Sequence, residues 1–195
     1  GGNRPLDEVC REKGLDPGTV TAVLQASVAS DEDRAADAAA MDTPTLVRHI
    51  IETHHRYLRD ELPRLVALTE KVASGHGDRN PALHRVASLV REMEGDLLQH
   101  LETEEKKLFP AIETLSSSST NQREELRTLI AGLEDDHQHT GAALEELRSL
   151  TDGYTVPEWG CNTYRATIDG LAELERDIHQ HVHKENNLLF KRLTR

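Results

Sequence analysis

Apolar residues recur along this chain at intervals of three and four in four separate stretches, and each stretch draws one stripe down a helix. The stripes run Val47, Ile51, Leu58, Leu62, Leu65; then Leu83, Val86, Val90, Met93, Leu97, Leu108, Ile112; then Leu126, Ile130, Leu133, Leu144, Leu147; then Tyr164, Ile168, Leu171, Leu174, Ile178, Leu188. No stretch alternates with the period of a strand. Punctuation agrees with the stripes. Thr43-Pro44, Asn80-Pro81 and Pro157 open the first, second and fourth helices, and Asn121 with Glu124 resembles a capping box for the third. Stops fall at Gly75-His76-Gly77, in the Ser116 to Ser119 run and at Asp152-Gly153, while the last helix runs almost to Arg195. Pro63 lies inside the first helix, where its ring predicts a kink. Four long helices joined by short loops are antiparallel neighbours, so the fold class is all-α, an up-down-up-down four-helix bundle over residues 43–195. Ahead of it, residues 1–42 read as a small helical domain and linker. One short helix is expected around Leu6 to Lys13, a second from Asp16-Pro17, and residues 29–42 are small and charged with little periodicity.

The stripes are interrupted by polar residues at core positions. His100 and Glu104 fill the gap between Leu97 and Leu108, and His181 and Glu185 fill the gap between Ile178 and Leu188. Both places read H-x3-E-x3-L-F, and the only two phenylalanines of the chain, Phe109 and Phe190, fall at equivalent positions in the two copies. Residues four apart share a helix face, so each copy offers an imidazole and a carboxylate in one direction. The repeat extends further, since His55 precedes His100 by 45 residues and His137 precedes His181 by 44. His137 lies in the third stripe; in the first, His55 fits slightly better than its neighbour His54. A buried carboxylate without a partner costs several kcal/mol, and no Lys or Arg lies in either stripe to pair with these two. The bundle topology brings four imidazoles and two carboxylates to similar depth, too many for one catalytic zinc. Two transition ions bridged by both carboxylates satisfy every group, and this donor set suits iron, with manganese or zinc able to enter in vitro.

Composition narrows the partners. Aromatic residues make up only 3% of the 195 residues, so the core is built from Leu, Val, Ile and Ala. A formal charge of −12 argues against nucleic acid and anionic membranes. Cys10 and Cys161 form neither a C-x-x-C nor a disulfide framework, which points to a reducing cytoplasm. No apolar run approaches a membrane span and no signal peptide is visible, although the chain begins without Met and leaves room for an upstream piece. The other histidines read as surface or turn residues: His49, His54 and His84 partly exposed, His139, His179 and His183 on other faces, His76 in a Gly turn. Asp96 and Asp136 read as surface charge, with a place beside the metal site as their second reading.

The chain resembles the hemerythrin-like fold and, within it, the repair-of-iron-centres family. The resemblance rests on His49-Ile50-Ile51-x3-His55 with Leu62-Pro63, on His100-x3-Glu104 through Leu108-Phe109-Pro110, on His137, and on His181-x3-Glu185-Asn186-Asn187-x-Leu189-Phe190. It favours His55 over His54 and implies a metal set of His55, His100, Glu104, His137, His181 and Glu185, with Glu104 and Glu185 bridging two oxo- or hydroxo-bridged non-haem iron ions. Gly1-Gly2, Leu6 and Leu15-Asp16 are similar to the family's amino-terminal domain, in which a Cys-Cys pair precedes the Gly-Gly; this chain begins just after that place. The implied function is repair of iron-sulfur clusters damaged by nitric oxide or peroxide, through iron donation, nitric oxide chemistry or both, including a nitric oxide reductase activity. Implied partners are nitric oxide or dioxygen as small ligands and damaged iron-sulfur proteins as recipients. The alternative is a hemerythrin-like module that binds oxygen or senses oxygen or nitric oxide. Oxygen-carrying hemerythrins have a second histidine four residues after the third-helix ligand and end with H-x4-D; this chain has Gly141 and H-x3-E at those places.

Overall fold

The computed structural model describes residues 37–114 and 119–193, together with Cys10 and Pro17. The chain divides into two units, Gly1–Asp42 and Thr43–Arg195. In the first, residues 37–40 are helical and Ala38 is fully buried. The short helices expected at Leu6 to Lys13 and from Asp16 fall outside the described residues, Cys10 and Pro17 excepted.

The second unit is the four-helix bundle. Helix α1 consists of Thr43–Ile50, a π turn Ile51–His55, and Arg56–His76. Helix α2 consists of Ala82–Thr103, a π turn Glu104–Leu108, and Phe109–Glu113. Helix α3 is Thr120–Leu150, and α4 consists of Asn162–His183, a π turn Lys184–Leu189, and Phe190–Leu193. No strand occurs among the described residues.

Three local expectations change. The α-helix continues through Pro63, and α1 carries in addition an irregularity that was not expected, the π turn Ile51–His55. Helix α3 is capped by Ser119 rather than Asn121: the Ser119 hydroxyl accepts from the Gln122 N–H, and the Gln122 side chain accepts from the Ser119 N–H at 2.8 Å. Helix α4 starts at Asn162, not at Pro157, because the Gly160 N–H donates to the Pro157 carbonyl at 2.8 Å and closes a turn first. The α3–α4 loop opens with Asp152, Gly153 and Tyr154, all at positive φ, as a helix stop of this kind requires.

Along the bundle axis the interior changes character. One end is closed by Val72, Leu83, Tyr164 and Ile168, with Trp159 packed against them. The middle is aliphatic, with Leu62, Leu65, Val90, Leu147, Leu171 and Leu174 all buried. Toward the N-terminus of α1 and the C-termini of α2 and α4 the interior becomes polar, and there the π turns occur.

A π turn carries one residue more than an α turn, so it advances the helix phase. In α1 the buried positions before the turn are Leu46 and Ile50, and those after it are His55, Leu58, Leu62 and Leu65. The interval from Ile50 to His55 is five. Val47 and Ile51, expected in the core from an unbroken period, are only partly buried. The same slip occurs in α4, where Leu189 rather than Leu188 is buried after Glu185, and Ile112 in α2 is only partly buried.

Candidate metal centre

All six inward polar residues come together. His55, His100, His137 and His181 are at most 8% exposed, and Glu104 and Glu185 are 0% exposed. Their inward atoms fall into two groups of four, His55, Glu104, His181 and Glu185, and His100, Glu104, His137 and Glu185, with the atoms of each group within 4.8 Å of one another. Both carboxylates belong to both groups. Each group takes the isolated histidine of one half of the chain and the H-x3-E histidine of the other.

The imidazoles present Nε2 inward. His181 Nε2 lies 2.7 Å from Glu185 Oε1, His137 Nε2 3.2 Å from Glu185 Oε2, and His55 and His100 Nε2 3.3 and 3.5 Å from Glu104 Oε2. His100 and His137 place their Nε2 atoms 3.1 Å apart. Donor atoms bound at about 2 Å and at right angles around one transition ion are spaced by about 3 Å, so these separations fit a shared cation. Hydrogen bonding among the six is incomplete. Both oxygens of Glu104, Oε2 of Glu185 and Nε2 of His55 are buried without a hydrogen-bond partner among the described residues. Such orphans are costly unless a cation meets them.

Electrostatics leads to the same view. Burial holds the Glu104 carboxyl well above the usual range, and the facing Glu185 charge adds to this. Burial also acts to raise Glu185, but the His181 imidazole beside it and the nearby His137 ring outweigh it and hold Glu185 well below that range. Burial acts to lower His55, yet Glu104 and Glu185 push it up to about 10. His100, dominated by burial, falls to about 4. Protons serve the cluster unevenly; two divalent ions would neutralise both carboxylates at once.

Behind the cluster, outward Nδ1 atoms are fixed by side chains. His55 Nδ1 lies 2.8 Å from Glu105 Oε1, which also accepts from Arg59 at 2.8 Å. His137 Nδ1 lies 3.0 Å from Asn186 Oδ1, and His100 Nδ1 3.3 Å from Asp136 Oδ2. Phe109 stacks on His55 with ring centroids 5.7 Å apart, and Phe190 on His137 at 6.0 Å. A cavity of about 350 Å³, lined by Met93, Asp96, His100, Asp136 and Thr140 among others, reaches the His100 side of the cluster.

The model of the hemerythrin HHE cation binding domain matches residues 46–193, the whole bundle with its inward histidines and glutamates. The chain belongs to that family. Within this hemerythrin-like family it aligns over its full length with iron-sulfur cluster repair proteins. It is 32% identical to iron-sulfur cluster repair protein ScdA of Staphylococcus haemolyticus, covering 100% of this chain and 86% of the relative. Identity is also 32% to iron-sulfur cluster repair protein YtfE of Pectobacterium carotovorum, covering 100% of this chain and 85% of that protein, and to YtfE of Yersinia pseudotuberculosis with the same coverage.

Residues that the sequence pattern missed are those behind the cluster. Glu105 and Asn186 follow Glu104 and Glu185 directly, so the repeat itself held a signal: the residue after each carboxylate holds the isolated histidine of its own half. Asp136 is 57% exposed yet bonded to His100, and so is more than surface charge. His54, expected to be partly exposed, is 1% exposed, whereas His84, His139, His179 and His183 are exposed as expected. The π turn explains the near tie between His54 and His55. In the helix phase before the turn His54 points inward, in the phase after it His55 does, and the turn places both inside.

Proposed function

We propose that this hemerythrin-like chain is an iron-sulfur cluster repair protein that holds two non-haem iron ions, one between His55 and His181 and the other between His100 and His137, with Glu104 and Glu185 spanning both. The observation that carries this reading is the double membership of the carboxylates in two four-residue groups. The names of the full-length relatives support the repair role. Bound there, such an ion pair would supply redox and Lewis-acid chemistry toward a diatomic ligand such as nitric oxide or dioxygen, and would be a source of iron for a damaged cluster.

The chain's own part is to prepare that place. Glu105 and Asn186 accept the outward Nδ1–H of His55 and His137, which fixes Nε2 as the inward lone pair. Phe109 and Phe190 cover two of the rings and exclude water. The cavity beside His100 gives a small molecule or an ion a route to one side of the cluster. Gly141 supports repair over oxygen carriage, since one turn beyond His137 it offers no further ligand. A bundle whose described helices include none long and apolar enough to cross a membrane is consistent with recipients met in solution.

The test is to purify the chain without added metal, measure iron, and record the near-ultraviolet and visible spectrum. About two irons per chain with ferric-pair absorption is the expected result. The reduced protein is then supplied to a nitrosylated iron-sulfur enzyme. Recovery of that enzyme's activity, with iron leaving the donor or nitric oxide being consumed, supports the repair role; no recovery with a fully loaded donor overturns it.

A further inference from the structure

The two halves of the chain place corresponding residues around corresponding histidines. In one direction, Asp136, which precedes His137, reaches across to Nδ1 of His100. The counterpart of Asp136 in the other half is His54, which precedes His55, and the counterpart of His100 is His181. His54 does reach His181, but through its face: the rings stack 5.3 Å apart with an interplanar angle of 12°. Among the described residues, side chains occupy the Nδ1 atoms of His55, His100 and His137; His181, whose Nε2 meets Glu185 at 2.7 Å and whose ring meets the edge of His55 at 5.1 Å, has the His54 ring stacked on its face.

His54 is itself held at both nitrogens. Its Nδ1 lies 2.8 Å from Asp177 Oδ1, and the Lys184 Nζ lies 2.7 Å from its Nε2. A lysine ammonium has only protons to give, so Nε2 is the acceptor and Nδ1–H donates to Asp177. The ring is thereby fixed in one tautomer and one plane. His54 and Lys184 are 1% and 8% exposed. Burying such a chain of polar groups brings little net stability compared with apolar residues of similar size, and what it does bring is a defined geometry.

We infer that His54, clamped between Asp177 and Lys184, is a positioning residue that fixes the imidazole plane of His181 and thereby tunes one of the two metal positions. This rests on the metal reading proposed above. Stacking against a fixed ring restricts rotation about χ2 of His181, the torsion that otherwise swings Nε2 away from the interior. The clamp acts on the position shared by His55 and His181 and leaves that of His100 and His137 untouched.

Cobalt(II) titration of the metal-free full chain tests this, because the visible bands of cobalt report ligand geometry. The parent is expected to bind two cobalt ions. His54→Leu should weaken one of the two binding steps by about tenfold and change the bands of that step alone, the order of loss usual for residues that orient a metal-bound histidine. His54→Phe keeps a stacking ring and should restore part of the loss. Lys184→Met frees Nε2 of His54 without touching the stack and should give a smaller shift in the same step. Melting of the metal-free forms is measured in parallel. Loss of metal affinity in step with loss of metal-free stability, and equal for both steps, overturns the positioning role. Parent-like binding and bands in His54→Leu also overturn it, and if that variant does not fold, parent-like behaviour of Lys184→Met does so. A parent that binds no cobalt defeats the metal reading itself, a different result from a loaded parent with indifferent variants.

Discussion

The aliphatic middle of the bundle and its polar end are built from the same helices by opposite rules. In the middle, Leu62, Leu65, Val90, Leu147 and Leu171 follow one unbroken period, and any well-packed apolar set of similar volume would serve. At the polar end three of the four helices carry a π turn, and six polar side chains aim at one another with several atoms left without hydrogen-bond partners among the described residues. An aliphatic core needs helix phase to be kept. At the polar end the phase shifts, since the step from Ile50 to His55 is five residues where the aliphatic middle steps by threes and fours. The difference assigns stability mainly to one region and chemistry to the other.

The strongest way to break this division is to remove a shared carboxylate. Glu104→Ala is expected to take metal content from about two ions to near none, since it deprives both groups at once, whereas His181→Ala should lose about one. Elemental analysis of the purified variants checks both, and full retention in each would sink the assignment. Next in size is the converse experiment. Leu171→Ala in the middle should cost roughly 2–5 kcal/mol of unfolding free energy by chemical denaturation while leaving metal per folded chain unchanged. Stripping metal from the parent should lower its melting temperature, since ions at about a hundred times their dissociation constant contribute about 2.7 kcal/mol. A metal-free form as stable as the loaded one would contradict the strain attributed to Glu104 and Glu185.

The apolar stripes were legible because they obey a period that sequence displays directly. Leu83, Val86, Val90, Met93 and Leu97 are all buried, as are Tyr164, Ile168, Leu171, Leu174 and Ile178. The six inward polar residues were legible because they break those stripes at repeated places. What the pattern could not give is the change of phase across each π turn, hence Val47 and Ile51 in place of Leu46 and Ile50 before one turn, and Leu188 in place of Leu189 in another. A π turn is selected by what the flanking helix must reach, and that information lies in the partner helices. Glu105, Asn186, Lys184 and Asp177 were hidden for the same reason, as polar residues off the stripe whose partners lie on another helix or on the far side of the turn.

Two smaller effects sharpen the comparison at its borders. Among the described residues, nothing lies within 4 Å of where a Cβ on Gly141 would stand. Gly141→His should therefore fold, keep its metal, and reduce the nitric oxide taken up by the reduced protein from about two equivalents to about one, because the new imidazole lies one turn from His137. Spectroscopic titration counts the equivalents, and parent-like uptake would defeat the idea. At the opposite end, Cys161 caps α4, and the Tyr164 N–H, with His76 Nε2 at 3.3 Å, brings its thiol down to about 7. A lowered pKa means more thiolate at neutral pH, so alkylation followed by peptide mass spectrometry should show a midpoint near pH 7. His76→Ala should move that midpoint upward without altering metal content; an unmoved midpoint would remove His76 from the account.

The extra residue in each π turn also makes chain length negotiable at those places. Deleting the exposed Thr53 shortens the interval from Ile50 to His55 to four, an ordinary α-helical step that leaves His55 inward. The same deletion in the uninterrupted α3, at Gln138 for example, rotates every later residue by about 100° and turns Leu144 and Leu147 out of the core. Among related chains, single-residue gaps are accordingly expected inside the helices that carry the histidines and glutamates, at the π turns, as well as in the loops.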